Sequence, residues 1–192
     1  MHPPASHQIP RPPGRHPRAG DLLIAAPSLQ DPNFRRTIIY LLQHDDEGSA
    51  GVVINRRLEY PLVGVELPQW LCDGSVVHAG GPVAEDSLLA LAAETATPER
   101  VRQALGPGVC VVDLEAVADV APFHPVQLFV GYAGWSPGQL GDEIARDDWF
   151  VADADPMDVL STDPDVTWER VLRRQPTFIR LWATLPHDVA AN

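Results

Sequence analysis

Residue types able to do chemistry concentrate in VGYAGWSPGQL, residues 130–140. Gly134-Trp135-Ser136-Pro137-Gly138 is a formal G-x-S-x-G, with the apolar run Val126–Val130 before it and a helix expected from Gln139 after it. Strand, tight turn and helix in that order is the setting of a hydrolase nucleophile elbow. His187 and the acids between Asp153 and Asp165 complete a triad in the right chain order. The residue after the serine decides against acyl transfer. An elbow donates that residue's backbone N–H to the oxyanion, and Pro137 has none. One missing oxyanion donor costs about 100- to 1000-fold in rate. The same residues predict a helix start instead, with Ser136 at N-cap, Pro137 at N1 and Gln139 at N3 of a capping box. No catalytic residue is assigned.

Other constellations are weaker. The glycines before the helix at Gln139 suggest an anion site, but Asp142 and Glu143 occupy its first turns and already complement the helix dipole. His44-Asp45-Asp46-Glu47 offers four ligand types in a row without the spacing of a calcium loop. A solvated hairpin loop explains it, and no metal or cofactor is expected. His78 and His124 read as packed or hydrogen-bonded side chains. The loop Leu29–Arg36 is more suggestive of binding, because Asp31, Arg35 and Arg36 share an irregular connection. An Asx-turn closed by Asp31 is the plain alternative.

The elements that would position these groups are mostly strands. Apolar or β-rich runs predict strands at 22–26, 37–43, 51–55, 75–79, 87–91, 109–112, 126–130 and 149–151, with a longer hairpin loop over 44–49. Helices are expected at 98–105, 114–120, 139–147 and 165–174. Strands outnumber helices without regular alternation, which favours an α+β fold.

The chain has 192 residues, enough for one substantial core. Residues 1–18 contain six prolines, three arginines and no acid, and read as a disordered leader before a single domain over 19–192. That domain holds 11 arginines, no lysine and 26 acids, a net charge of −15. Such a body repels phosphate backbones and anionic membrane surfaces, so direct DNA binding and membrane association are disfavoured. Cys72 and Cys110 lack any disulfide or metal framework, which fits free thiols in the cytoplasm.

Taken together, LLIAAPSLQDPNFRRTIIYLLQHDDEGSAGVVINRRL (22–58), VVHAGGPVAED (76–86) and GYAGWSPGQLGDEIARDDWFV (131–151) resemble the AlgH/YqgE family of bacterial proteins. The resemblance implies a single α+β domain with a bent mixed sheet forming a pseudo-barrel, flanked by a few helices. It extends to Asp31, Pro32, Phe34, His44, Gly51, Asn55, Gly80, Gly81, Pro82, Val83, Gly131, Tyr132, Gly134, Trp135, Gly138, Gln139, Leu140, Glu143 and Trp149. The family usually carries a histidine soon after the GGPV turn; SLLALAA (87–93) has none. A catalytic or metal role resting on that histidine does not apply to this chain. The family bears a transcriptional-regulator label, yet no helix-turn-helix or basic stripe is visible.

These observations lead to a non-enzymatic cytoplasmic binding or regulatory protein acting indirectly on gene expression or metabolism. Its partner is an unknown small molecule or protein, met by the 29–36 loop (Asp31, Phe34, Arg35, Arg36), the 80–83 turn (Gly80, Gly81, Pro82) and the 131–139 turn (Gly131, Tyr132, Gly134, Trp135, Gln139). Trp135 is expected to line a partly exposed pocket wall. An enzyme at the same surface, a hydrolase for example, and a pure scaffold are the alternatives.

Overall fold

The computed structural model describes residues 15–60, 76–93, 101–106, 108–112, 114 and 125–184. Among them the strands are β1 (Asp21–Ala25), β2 (Ile38–Asp45), β3 (Gly48–Val53), β4 (Val77–Ala79), β5 (Val83–Ala93), β6 (Val101–Ala104), β7 (Val109–Val112), β8 (Val126–Trp135) and β9 (Trp149–Asp153). The helices are α1 (Gln139–Ala145), α2 (Pro156–Val159), α3 (Thr167–Arg173) and α4 (Thr177–Arg180). The strands form one curled sheet in the order β6-β7-β5-β8-β3-β2-β1-β9, antiparallel along that path, with β4 added parallel to β8. This half-barrel with helices against it is the expected α+β domain with a bent, mixed sheet.

β1, β7 and the first half of β2 read as continuous apolar runs because both sheet faces are covered there. Leu22, Ile24, Ile38 and Tyr40 enter one core with Val159, Trp168, Val171 and Leu172 of α2 and α3. Their neighbours Leu23, Ala25, Ile39 and Leu41 point the other way, into a second core with Leu140 of α1 and Phe34 of the 29–36 loop. A buried carboxylate ties the helices together. Asp155 caps α2 by accepting from Met157 N at 2.9 Å, and Asp158 accepts from Asp155 N at 2.9 Å. Asp158 also pairs with Arg170 at 3.3 Å and with Arg174, whose pKa the carboxylate raises.

β8 organises the sheet by changing partners along its length. Residues 126–130 pair with β5 on one edge, and 128–130 with β4 on the other, while Gly134 and its neighbours pair with β3. The change is made at Gly131, which has φ +68° and whose added Cβ would lie 2.4 Å from Gly81 O. A side chain there would collide with backbone.

Four expectations require correction. Residues 101–104 form β6, not part of a helix; pairing with β7 overrides the local propensity, and Tyr40 Oη fixes the segment's end by donating to Leu105 O at 2.8 Å. The hairpin loop shrinks to Asp46-Glu47, because β2 and β3 pair through His44↔Ser49 and Asp45↔Gly48. The strand predicted to end at Val130 continues through Trp135, so 131–135 is not a turn. Residues 15–18 are attached to the domain: Pro17 is buried, Arg15 pairs with Asp21 and Asp153, and Arg18 N donates to buried Asp21 at 3.0 Å. The helix expected at 114–120 and residues 1–14 of the leader lie outside the described residues.

Candidate functional site

The GYAGW strand and the start of α1 carry an aromatic cluster held by one carboxylate. Phe34 stacks on Trp135, with ring centroids 6.4 Å apart and planes at 22°, and meets Trp149 edge-on at 5.7 Å. Trp135 and Trp149 are themselves edge-to-face at 6.0 Å. Both indole N–H groups donate to Glu143 Oε2 at 2.8 Å, while Glu143 Oε1 accepts from Gln139 Nε2 at 3.0 Å. Trp135 is only 6% exposed, so it is core and not a pocket wall. Phe34 from a distant loop and Trp149 from β9 enclose the indole.

The helix start differs from the expected capping box. Gly138, at φ +78°, is the N-cap of α1, and no side chain caps it. Half of the box survives, because Gln139 Oε1 accepts from Ser136 N at 3.0 Å. Ser136 itself is exposed, and the left-handed Gly138 starts the helix two residues later than a serine cap would.

The 29–36 loop is held from within and from β3's continuation. Asp31 Oδ1 accepts from Asn33 N at 2.8 Å, the predicted Asx-turn, and Asp31 O accepts from Phe34 N and Arg35 N. Arg56 then donates to three loop carbonyls: Asn33 O at 2.8 Å, Pro32 O at 3.0 Å and Arg35 O at 3.0 Å. Asn55 accepts from Ile38 N at 2.8 Å and donates to Arg36 O at 2.9 Å, fixing Arg36 at φ +56°. The Arg36 guanidinium lies 5.1 Å from the Trp168 ring centroid, a cation–π contact. Burial and the nearby Arg35 lower the pKa of Arg56, with Asp31 opposing them. An arginine still keeps its charge in a protein.

Between this loop and the Gly80–Val83 turn lies a cleft of about 190 Å³. Val53, Ala79 and Val130 give it an apolar floor, and Tyr60, Gly81 and Pro82 form its wall. Arg56 and Asn33 supply one polar side, and Glu85 another. The floor is set by close backbone packing, since Gly80 N donates to Val130 O at 2.7 Å and Gly80 O accepts from Val53 N at 2.8 Å.

Of the twelve predicted site residues, only Gly81 and Pro82 line this cleft. Asp31, Arg35 and Arg36 shape its loop, Gly80, Gly131 and Tyr132 pack beneath its turn, and Phe34, Gly134, Trp135 and Gln139 belong with the aromatic cluster and its strand. Sequence reasoning missed Asn33, Arg56, Tyr60 and Glu85. Arg56 carries no local signal, because its three acceptors lie more than 20 residues upstream.

His78 is fully buried, stacked on Phe129 at 4.8 Å, with Nε2 3.3 Å from Gln127 Oε1. Burial pushes its pKa down to about 4. His44 Nδ1 lies 2.8 Å from Ser49 Oγ, which uses the ring inside the hairpin. His124 and His187 lie outside the described residues. Among the described residues no three His, Cys, Asp or Glu side chains are placed to hold a metal ion.

Comparison with known proteins gives this geometry its family. A family model described as AlgH-like (DUF179) matches residues 22–179. The chain belongs to the AlgH-like family. A UPF0301 protein of Mycobacteroides abscessus is 42% identical, with 94% of this chain and 91% of the relative covered. A UPF0301 protein of Mycobacterium leprae is 44% identical, with 91% of each chain covered. A crystal structure of a Corynebacterium diphtheriae protein aligns with a TM-score of 0.76 at 30% identity, covering 90% of this chain and 94% of that one. The solution structure of AlgH from Pseudomonas aeruginosa aligns with a TM-score of 0.65 at 26% identity, covering 91% and 98%. In this AlgH-like chain Trp135 of the 131–143 motif, held by Glu143, stacks on Phe34 of the 29–36 loop.

Proposed function

We propose that this AlgH-like protein is a non-enzymatic binding protein of the cytoplasm, acting indirectly on gene expression or metabolism through the cleft beside Arg56. The observation that carries the reading is the cleft itself: an apolar floor with a few polar groups at its sides is the composition of a ligand site. About 190 Å³ is below the ~300–1,000 Å³ of sites for drug-sized ligands, so the occupant is a small metabolite or one side chain of a protein partner. Hydrolysis at Ser136 is disfavoured because Pro137 supplies no N–H for an oxyanion. Direct DNA reading is disfavoured by the −15 charge of residues 19–192. Among the described residues no helix is long and apolar enough to cross a membrane.

The test is thermal stabilisation across a metabolite panel, with wild type beside Ala79→Leu, which fills the cleft floor, and turnover assays on any hit. Stabilisation of wild type alone, without turnover, supports binding at the cleft. Hits that Ala79→Leu leaves unchanged, or turnover of the ligand, would overturn the reading. Specific DNA binding at nanomolar protein, retained without residues 1–18, would restore direct regulation.

A further inference from the structure

We infer that the ligand of this cleft is a small amino carboxylate, a molecule with one carboxylate and one ammonium on a short apolar body; the inference rests on the binding-protein reading above. The cleft presents opposite charges that are not spent on each other. Among the described residues Arg56 and Glu85 form no ion pair, and Glu85 makes no side-chain hydrogen bond. Arg56 is held in place by three carbonyl acceptors, and an arginine has five N–H donors. A guanidinium fixed in this way can receive a carboxylate without losing side-chain freedom on binding.

Glu85 is brought to the cleft by an irregularity of β5. The strand's register passes from Val83↔Tyr132 to Leu88↔Val130, so residues 84–87 lift away from β8. Ala84 takes φ +49°, and Ser87 Oγ closes the excursion by donating to Ala84 O at 2.8 Å. The excursion carries Glu85 and Asp86, both exposed.

Other ligand classes leave a charge opposed. A phosphate or simple carboxylate would meet Glu85 as well as Arg56. A simple amine would meet the cation of Arg56. A neutral apolar molecule would strip water from both charges and replace it with nothing. An amino carboxylate answers both, with its methylenes over Val53, Ala79 and Val130.

The experiment is an amide-resolved NMR titration of the full chain with glycine, β-alanine, 4-aminobutyrate, 5-aminovalerate and leucine. Butyrate and butylamine serve as single-charge controls. The expected result is saturable millimolar binding of at least one amino carboxylate, with shifts at Val53, Ala79 and Gly81. It should bind at least about tenfold tighter than either control, as a charge-assisted hydrogen bond at each end implies. Glu85→Gln should remove most of that advantage, and Asp86→Asn, whose side chain is not in the cleft wall, should retain it. Butyrate binding as well as the amino carboxylates would overturn this inference and leave a cleft that binds anions. No saturable shift from any probe would also overturn it, and the metabolite panel then decides the binding-protein reading separately. An equal loss in both variants would reduce the effect to the general acidic field and overturn the assignment to Glu85.

Discussion

Glu143→Ala should destabilise the fold by about 2–4 kcal/mol, because one carboxylate satisfies two buried indoles. Its Oε2 accepts from Trp135 Nε1 and Trp149 Nε1, each at 2.8 Å, and the two tryptophans are 6% and 4% exposed. A buried donor left without an acceptor costs about 1–3 kcal/mol, which bounds the pair at about 2–6 kcal/mol. Glu143 is half-buried, so water reaches part of the vacated space and the lower half of that range is expected. Glu143→Gln keeps one oxygen for the indoles but turns an NH2 towards the Gln139 amide, for a loss of about 1 kcal/mol. Trp135→Ala removes the indole's packing against Phe34 and Trp149 and should cost about 3–5 kcal/mol. Urea unfolding with compared m-values measures all three. A cycle of Trp149→Phe with Glu143→Ala should show a coupling of about 0.5–3 kcal/mol. A loss below about 1 kcal/mol for Glu143→Ala, at unchanged m, would mean that the indoles reach water and that the carboxylate does not hold the cluster.

Three further outcomes follow from other parts of the molecule. His78, held down to about 4 from 6.5, binds fewer protons folded than unfolded; stability is full above pH 6.5 and falls by about 3 kcal/mol as pH drops through that window to 4. His78→Asn should flatten that dependence in urea midpoints measured against pH, and an unchanged slope would refute the assignment. Deleting residues 1–14 should leave the thermal midpoint within a degree or two, whereas deleting 1–18 removes Arg15 and Arg18 from buried Asp21 and should lower it by several degrees; equal midpoints would show the pairs to be idle. Ser136→Ala should cost less than about 0.5 kcal/mol, because the hydroxyl of this exposed residue is not the cap of α1; a full 1 kcal/mol by urea unfolding would restore the serine cap.

What the sequence made legible follows from where the relevant forces act. β1, β2, β7 and β9 were readable because each is a short apolar run whose neighbours cover both faces. α1 and α3 were readable as short local segments, although the cap of α1 is Gly138 rather than Ser136 and α3 starts without a side-chain cap. β6 was not, since residues 101–104 become strand only by pairing with β7. The extension of β8 through Gly131 and Gly134 was hidden by the turn signal that glycine normally gives; here Gly131 allows backbone contact with Gly81 inside a strand. Trp135 was misread for a related reason. Its nearest residues in the chain are small, and the rings that bury it come from positions 34 and 149.

The same facts explain why most of the predicted site residues support the cleft while only Gly81 and Pro82 line it. A wall of the cleft is the Gly80–Val83 turn, and that turn can sit where it does only because Gly81 and Gly131 bring two backbones together without side chains. The opposite side is the 29–36 loop, pinned at its carbonyls by Arg56 and at Phe34 by the two tryptophans and Glu143. Changing Trp135 or Gly131 therefore disturbs the cleft without any contact with what occupies it. Changing Glu85 or Tyr60 alters the occupant's surroundings while leaving both supports in place, since each is exposed and neither belongs to a core. Trp135 and Gly131 thus report on the frame. In the proposed function the chemistry of binding falls to side chains such as Arg56 and Glu85, which the folded chain brings to one cleft.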